Sequence, residues 1–325
     1  MILQTLNPVL DRELRQRSRS TRSMVLLTLF LGLLIAVMFL AYKGSETTAG
    51  FSADPISALT IRVGRSMFEW VLAAQLVILL FIIPGISAGS IAGERDRQTL
   101  IPLQVTLIGP FQIFLGKVLA SSSFILLLIV AAAPVMAVPY LVGGISLSQV
   151  LLSLVCLLGI GFLLAVIGVA CSAIFRRTQT ATLAAYAMVL VLTFGTLILL
   201  AVTAVVDASR GTDPAEPRLM ALYPNPFLAV ADAAGEIGSP SAGPFSPIKQ
   251  LFLESRTGPD MEVMNDGRGV VVFNALTGQP VALDSATGGV PLWVRSLGIQ
   301  AGLALVLAVI GVRRLRAPQK ELHSS

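Results

Sequence analysis

The stretch from Gly93 to Lys117 is where residue types and spacing point to chemistry. Gly93-Glu94-Arg95-Asp96-Arg97-Gln98-Thr99-Leu100 alternates four charges, and Leu100, Leu103 and Leu107 then recur at helical spacing. Gly109 to Lys117 has the outline of a phosphate-binding loop. A Walker A loop, however, needs four residues between its glycines and Ser or Thr after Lys, so that amides wrap the phosphates and the hydroxyl reaches magnesium. Here six residues intervene and Val118 follows Lys117, so ATP is not bound by that route. Other chemistries fare no better. The one histidine, His323, stands near the C-terminus, which rules out a buried His-based metal site or a Ser-His pair. Cys156 and Cys171 share one apolar run and are separated by about 22 Å of helix, beyond disulfide reach. No enzyme activity, cofactor or metal is expected of this chain. What remains for residues 93–117 is docking.

The elements that must position this segment are set by composition. Hydrophobic residues make up 55% and charged residues 13%, against about 25% charged in soluble domains. The chain is therefore expected to be an all-α polytopic membrane protein. Six runs reach the roughly 20 apolar residues that a span needs: about 24–41, 70–92, 118–141, 149–174, 181–206 and 292–312. No small-residue cleavage site follows the first, so it is expected to stay as an anchor. Pro84, Pro134 and Pro139 predict kinks rather than breaks, because neighbouring helices can satisfy the freed backbone groups. The fourth and fifth runs are joined only by Phe175-Arg176-Arg177-Thr178-Gln179-Thr180, a tight hairpin.

The net charge of +5 comes from 23 Lys and Arg against 18 Asp and Glu. The basic residues flank apolar runs rather than coating one soluble face, which argues against nucleic acid. With the N-terminus inside, the larger share of Lys and Arg falls on the cytoplasmic side, including Arg12, Arg15, Arg95, Arg97, Lys117, Arg176, Arg177, Arg313 and Arg314. Both termini are then cytoplasmic, in the cell membrane. Residues 207–290 are extracytoplasmic by the same count and hold ten glycines and nine prolines. Within them Val270-Val271-Val272-Phe273 and Val281-Ala282-Leu283 flank a Thr277-Gly278 turn, which predicts a hairpin. The whole of 1–325 is expected to form one membrane domain.

Asn7-Pro8 has the form of an N-cap followed by proline at the first helical position. Arg12, Arg15, Arg19 and Arg22 follow on one face, with Leu10 and Leu14 opposite. That pattern fits an interfacial helix with its guanidinium groups toward anionic lipid phosphates. None of the expected spans has a charged residue in its middle; Glu69 and Arg295 fall at span ends, where snorkelling explains them. An ion-coupled carrier, which needs intramembrane charge, is disfavoured. For the loop itself two readings stay open: its leucine stripe engages a partner, or it lies against the underside of its own bundle.

Three elements resemble the permease subunits of ABC transporters of the type 2 class. Asn7-Pro8-Val9-Leu10-Asp11-Arg12-Glu13-Leu14-Arg15 resembles their elbow helix. Gly93-Glu94-Arg95 through Thr99-Leu100, then Gly116-Lys117 and Gly143-Gly144, is similar to their first cytoplasmic loop and third span. Tyr223-Pro224-Asn225-Pro226-Phe227 is similar to an Asn-Pro element after the fifth span. The resemblance implies six spans, a second permease copy or paralogue, and a separate ABC ATP-binding subunit. It also implies a coupling helix, on which Glu94, Arg97, Thr99, Leu100 and Leu103 meet that subunit, and it leans toward export. Residues 207–290 are longer than the short re-entrant helices usual in that class. Two other readings follow from the same residues: an ATP-independent carrier or channel, and a membrane anchor or assembly factor working through 207–290.

Overall fold

The computed structural model describes residues 21–49, 56–96, 109–210, 222–235, 243–249, 261–265, 270–274 and 291–315. In chain order the helices are α1 (Thr21–Ala49), α2 (Ile56–Asp96), α3 (Pro110–Val142), α4 (Leu147–Ile174) and α5 (Thr178–Leu190). A π-helical turn, Val191–Gly195, leads to α6 (Thr196–Arg210), α7 (Pro226–Ala234) and α8 (Leu292–Leu315). Among the described residues six helical segments are long and apolar enough to cross a bilayer, the fifth running through α5, the π turn and into α6. An even number of such helices puts the start of α1 and the end of α8 at one end of the bundle. The other end carries the α3–α4 turn and the long connection before α8. They are called here the termini end and the far end.

Local sequence accounts for the helix boundaries. Ser146 accepts from the Gln149 N–H at 3.2 Å while the Gln149 side chain accepts from the Ser146 N–H at 2.9 Å, a reciprocal cap that starts α4. Gly109-Pro110 begins α3, and the residues before it lie outside the described ones. Pro110 sits where no backbone donor is needed, and the Gln112 side chain accepts from the Gly109 N–H at 3.3 Å. α2 continues through Pro84, and α3 through Pro134 and Pro139. Beside Pro84, the Tyr186 hydroxyl from α5 donates to the Phe81 carbonyl at 2.7 Å, satisfying backbone in the stretch the proline disturbs.

α2 and α4 form the central pair. α2 also touches α1, α3, α5 and α7, and α4 touches α3, α5, α7 and α8. Their contact buries Leu72, Leu76 and Leu79 against Leu157 and Ile160, with Ile125 and Leu128 of α3 beside them. Small residues permit the approach, as lipid-embedded helices require: a Cβ on Gly168 of α4 would collide with the Ser87 hydroxyl of α2. At the far end, Gly143 and Gly144 take φ of 113° and 83°, the left-handed region open to glycine. A Cβ on Gly144 would also meet the Ile61 backbone of α2.

Three expectations need correction. The helix that carries the second span does not start at residue 70; α2 has 41 residues, about 60 Å of helix, and begins at Ile56. Glu69 is accordingly an interior residue of α2, and at 1% exposed it does not reach water as a snorkelling residue would. The hairpin forms differently: β2 (Val270–Asn274) pairs antiparallel with β1 (Met261–Asn265), with Asn265 opposite Val270. The sequence between the two strands contains Asp266-Gly267, a stronger hairpin signal than Thr277-Gly278. Val281-Ala282-Leu283 lies outside the described residues.

Candidate functional site

At the termini end, each of the three charges that close α2 is spent on a different neighbour. The Lys117 ammonium of α3 donates to Glu94 Oε1 at 2.7 Å, with the lysine side chain 6% exposed and the glutamate 27%. Arg95 Nη1 donates to the carbonyls of Ala173 and Phe175, each at 3.2 Å. These lie at the C-terminus of α4, where orphan carbonyls and the helix dipole favour a cation. Asp96 does the converse for α5. Its Oδ2 accepts from the Thr178 N–H at 3.1 Å and the Thr178 hydroxyl at 2.6 Å, a carboxylate at a helix N-terminus. One turn earlier, Ser172 of α4 accepts from the Ile91 and Ala92 N–H groups at 2.9 and 2.8 Å. The end of α2 is thus pinned to α3, α4 and α5 immediately before the 97–108 connection. Gly109-Pro110 fixes the other flank of that connection.

Of the expected docking residues, Glu94 is the one the structure describes, and it faces Lys117. Arg97, Thr99, Leu100 and Leu103 lie outside the described residues, as do Arg12, Arg15 and Arg19. Arg22 stands in the first turn of α1. Lys117 is not a membrane-entry cation open to water; it is buried.

The far end is closed by buried polar contacts. Asn225, fully buried, caps α7 by accepting from the Phe227 N–H at 2.8 Å. Its Nδ2 donates to the Thr193 carbonyl at 3.0 Å and to Thr196 Oγ1 at 2.9 Å. Thr193 belongs to the π-helical turn of the fifth span, and Thr196 follows it. The Asn-Pro element therefore ties the short helix α7 to an irregularity in that span, a place where freed backbone groups need a partner. From α8, Gln300 Nε2 donates to the Pro224 carbonyl at 3.1 Å, and the Trp293 N–H donates to Asp232 Oδ2 at 2.9 Å. Seven of α7's residues, including Leu228, Ala229 and Val230, are buried. This part of 207–290 is embedded in the bundle rather than standing outside it.

A second tie joins Lys249 to Glu69 of α2. Both side chains are 1% exposed and Nζ lies 3.6 Å from Oε1, an ion pair longer than a hydrogen bond. Burial pushes the Lys249 ammonium below its ordinary range, and the Glu69 carboxylate pulls it back up. Gly243, which opens the same segment, packs so closely on Glu69 that a Cβ there would overlap the carboxylate. Sequence spacing gives no signal for the Glu69–Lys249 pair, whose members are far apart in the chain. Asn225 did carry one, since Asn-Pro is a helix-start signature. Among the described residues no group of three or more His, Cys, Asp or Glu is placed to hold a metal.

Six membrane-length helices, a charged staple at one end and a buried polar seal at the other define a multi-pass helical membrane protein whose connections are built into its span packing. The family model of the ABC-2 family transporter protein matches residues 8–242, well over half of the chain. The chain belongs to that family and is a transporter permease, a membrane transport component that is not itself catalytic. No curated protein matches it.

Proposed function

We propose that this chain is the membrane-spanning half of an ATP-driven exporter, worked by a separate ABC ATP-binding subunit and paired with a second copy or paralogue. It resides in the cell membrane with both termini in the cytoplasm, the orientation that the Lys and Arg distribution favours. The observation that carries the reading is the termini-end staple. A force applied to the 97–108 connection reaches α2 through Asp96 and α3 through Gly109-Pro110, and Glu94, Arg95 and Asp96 spread it to α3, α4 and α5. Four spans then move together. Arg97, Thr99, Leu100 and Leu103, together with Glu94, form the contact with the ATPase, and the Arg12, Arg15, Arg19 and Arg22 face rests on lipid phosphates.

The test is copurification. Arg97→Ala with Leu100→Asp and Leu103→Asp should lose the ATP-binding subunit while the membrane domain still elutes as a folded peak; undiminished recovery of the subunit would refute the coupling role.

Buried Glu69 favours a second reading. An intramembrane carboxylate is what an ion-coupled carrier requires, and its presence removes the earlier argument against one. Its Lys249 partner already balances it, so the ATP-driven reading is preferred. Transport that persists in vesicles lacking any ATPase subunit would reverse that preference.

A further inference from the structure

Polar side chains buried in the spans mostly bond to helix backbone nearby. Ser87 donates to the Ile83 carbonyl at 2.7 Å, Ser153 to the Gln149 carbonyl at 2.8 Å and Thr193 to the Val189 carbonyl at 2.9 Å. In α8 the Gln300 amide donates to the Pro224 carbonyl and to Ser296 Oγ. Gln75 of α2 departs from this pattern. It is 0% exposed, and neither its Nε2 nor its Oε1 has a hydrogen-bond partner among the described residues. The residues a turn away on its side of the helix, Val71, Leu72 and Leu79, are apolar and equally buried. An amide left unpaired in such surroundings destabilises the arrangement that buries it.

Two further features place this amide where α2 has room to move. α2 and α4 run in the same direction, and a Cβ on Gly168 of α4 would meet Ser87 of α2. Twelve residues back along each helix stand Gln75 and Cys156, so the two share one depth, within the core where Leu72, Leu76 and Leu79 pack near Leu157. Val77, two residues after Gln75, lies on the opposite side of α2. There, with Ala73 and Ala74, it borders a cavity of about 830 Å³ shared with Leu33 and Val37 of α1. At the level of Gln75, α2 is therefore packed on its α4 side and unpacked toward α1.

We propose that Gln75 is a wetting point for the movement of α2. When the helix shifts toward α1 and away from α4, water reaches the amide and hydrogen-bonds to it. The residue thus destabilises the closed core and lowers the cost of opening it. A ligand in the α1–α2 cavity does not account for the amide, because Gln75 is not among the residues that line that cavity. The proposal rests on the chain being a transporter permease, whose spans must pass between at least two arrangements, and on nothing about what drives them.

Cys156 is the reporter. The chain has two cysteines, and Cys171→Ala leaves Cys156 alone, fully buried at the depth of Gln75. A membrane-permeant maleimide reaches it when the core parts. In that background Gln75→Met, apolar and of similar length, should raise the melting temperature in detergent. It should also slow labelling of Cys156 about tenfold, the scale set by one buried polar group left unpaired. Gln75→Asn keeps the amide and should label faster than Gln75→Met. A lower melting temperature for Gln75→Met would mean that the amide is already bonded in the closed core. A higher melting temperature with unchanged labelling would mean that opening does not relieve it. Either result, or labelling as slow in Gln75→Asn as in Gln75→Met, would overturn the proposal. Neither readout involves an ATP-binding subunit, so the proposal can fail while the coupling role stands, and the reverse.

Discussion

The two ends of this bundle solve one problem, tying connections to spans, by opposite means. At the termini end the ties are ionic and partly open to water: Glu94 is 27% exposed on its pair with Lys117, and Asp96 caps Thr178 at an exposed site. At the far end they are buried, through Asn225 to the fifth span and Lys249 to Glu69. Partly solvated ion pairs cost less to break than fully buried ones, because water takes up part of the released charge, and they can re-form after displacement. Buried polar contacts leave unsatisfied groups in an apolar surrounding when broken, so they resist opening. Under the proposed coupling role, the difference suits the termini end to receiving force and the far end to staying shut until force arrives.

The largest test of that contrast is the buried pair. Lys249→Met alone should destabilise by about 3–5 kcal/mol, since it strands Glu69 without its counter-charge. Glu69→Gln combined with Lys249→Met should recover most of the loss, because removing both charges also removes their desolvation cost. Thermal unfolding in detergent reads both. A double variant as unstable as the single one would mean that Glu69 is held mainly by other partners.

Next comes Asn225→Ala, with an expected loss of about 2 kcal/mol from the missing cap on α7 and the missing donor to Thr193 and Thr196. Asn225→Asp keeps the acceptor for the Phe227 N–H but not the Nδ2 donor. Its melting temperature should fall between the other two, which separates the cap from the tie to the fifth span. If Asp proves as stable as Asn, the tie across to the π turn contributes nothing and the seal rests on packing alone.

Glu94 sharpens the comparison from the other side. Glu94→Gln should cost about 1–3 kcal/mol by leaving the buried Lys117 without its carboxylate, and Lys117→Met added to it should restore stability. Recovery of the ATP-binding subunit in the two variants then separates two roles. If recovery returns with stability, Glu94 acts through Lys117; if it stays low, the carboxylate itself meets the partner.

How much of this was readable from sequence follows from what each feature depends on. Span number and class came from local hydrophobicity, which the bilayer imposes on each helix separately. The start of α2 was missed because Glu69 looks like the end of an apolar run until Lys249 is placed beside it. The same holds for Lys117, which fits a membrane-entry cation in sequence and a buried partner of Glu94 in three dimensions. Gly109-Pro110 was ambiguous by chemistry, since glycine after one helix and proline at the start of the next occupy the same two positions. Asp266-Gly267 is as local a turn signal as Thr277-Gly278, and the pairing of β1 with β2 is what chooses between them. Arg95 and Asp96 were visible as charges but not as caps, because the helix ends that they satisfy belong to α4 and α5.

The smallest expected effect tests whether the termini-end staple works by charge or by hydrogen bonding. Asp96→Ala removes the acceptor for both Thr178 groups and should lower the melting temperature slightly, less than any change above, because the site is exposed. Asp96→Asn keeps a side-chain oxygen able to accept from Thr178 but gives up the charge at the α5 N-terminus. If the asparagine variant melts with the parent at low salt, the cap is a hydrogen-bonding device and salt should not affect it. If it melts with alanine at low salt and the difference closes as salt rises, the dipole term dominates. In that case the staple would be tuned by ionic conditions at the termini end, whereas the far-end seal, lacking exposed charge, would not respond.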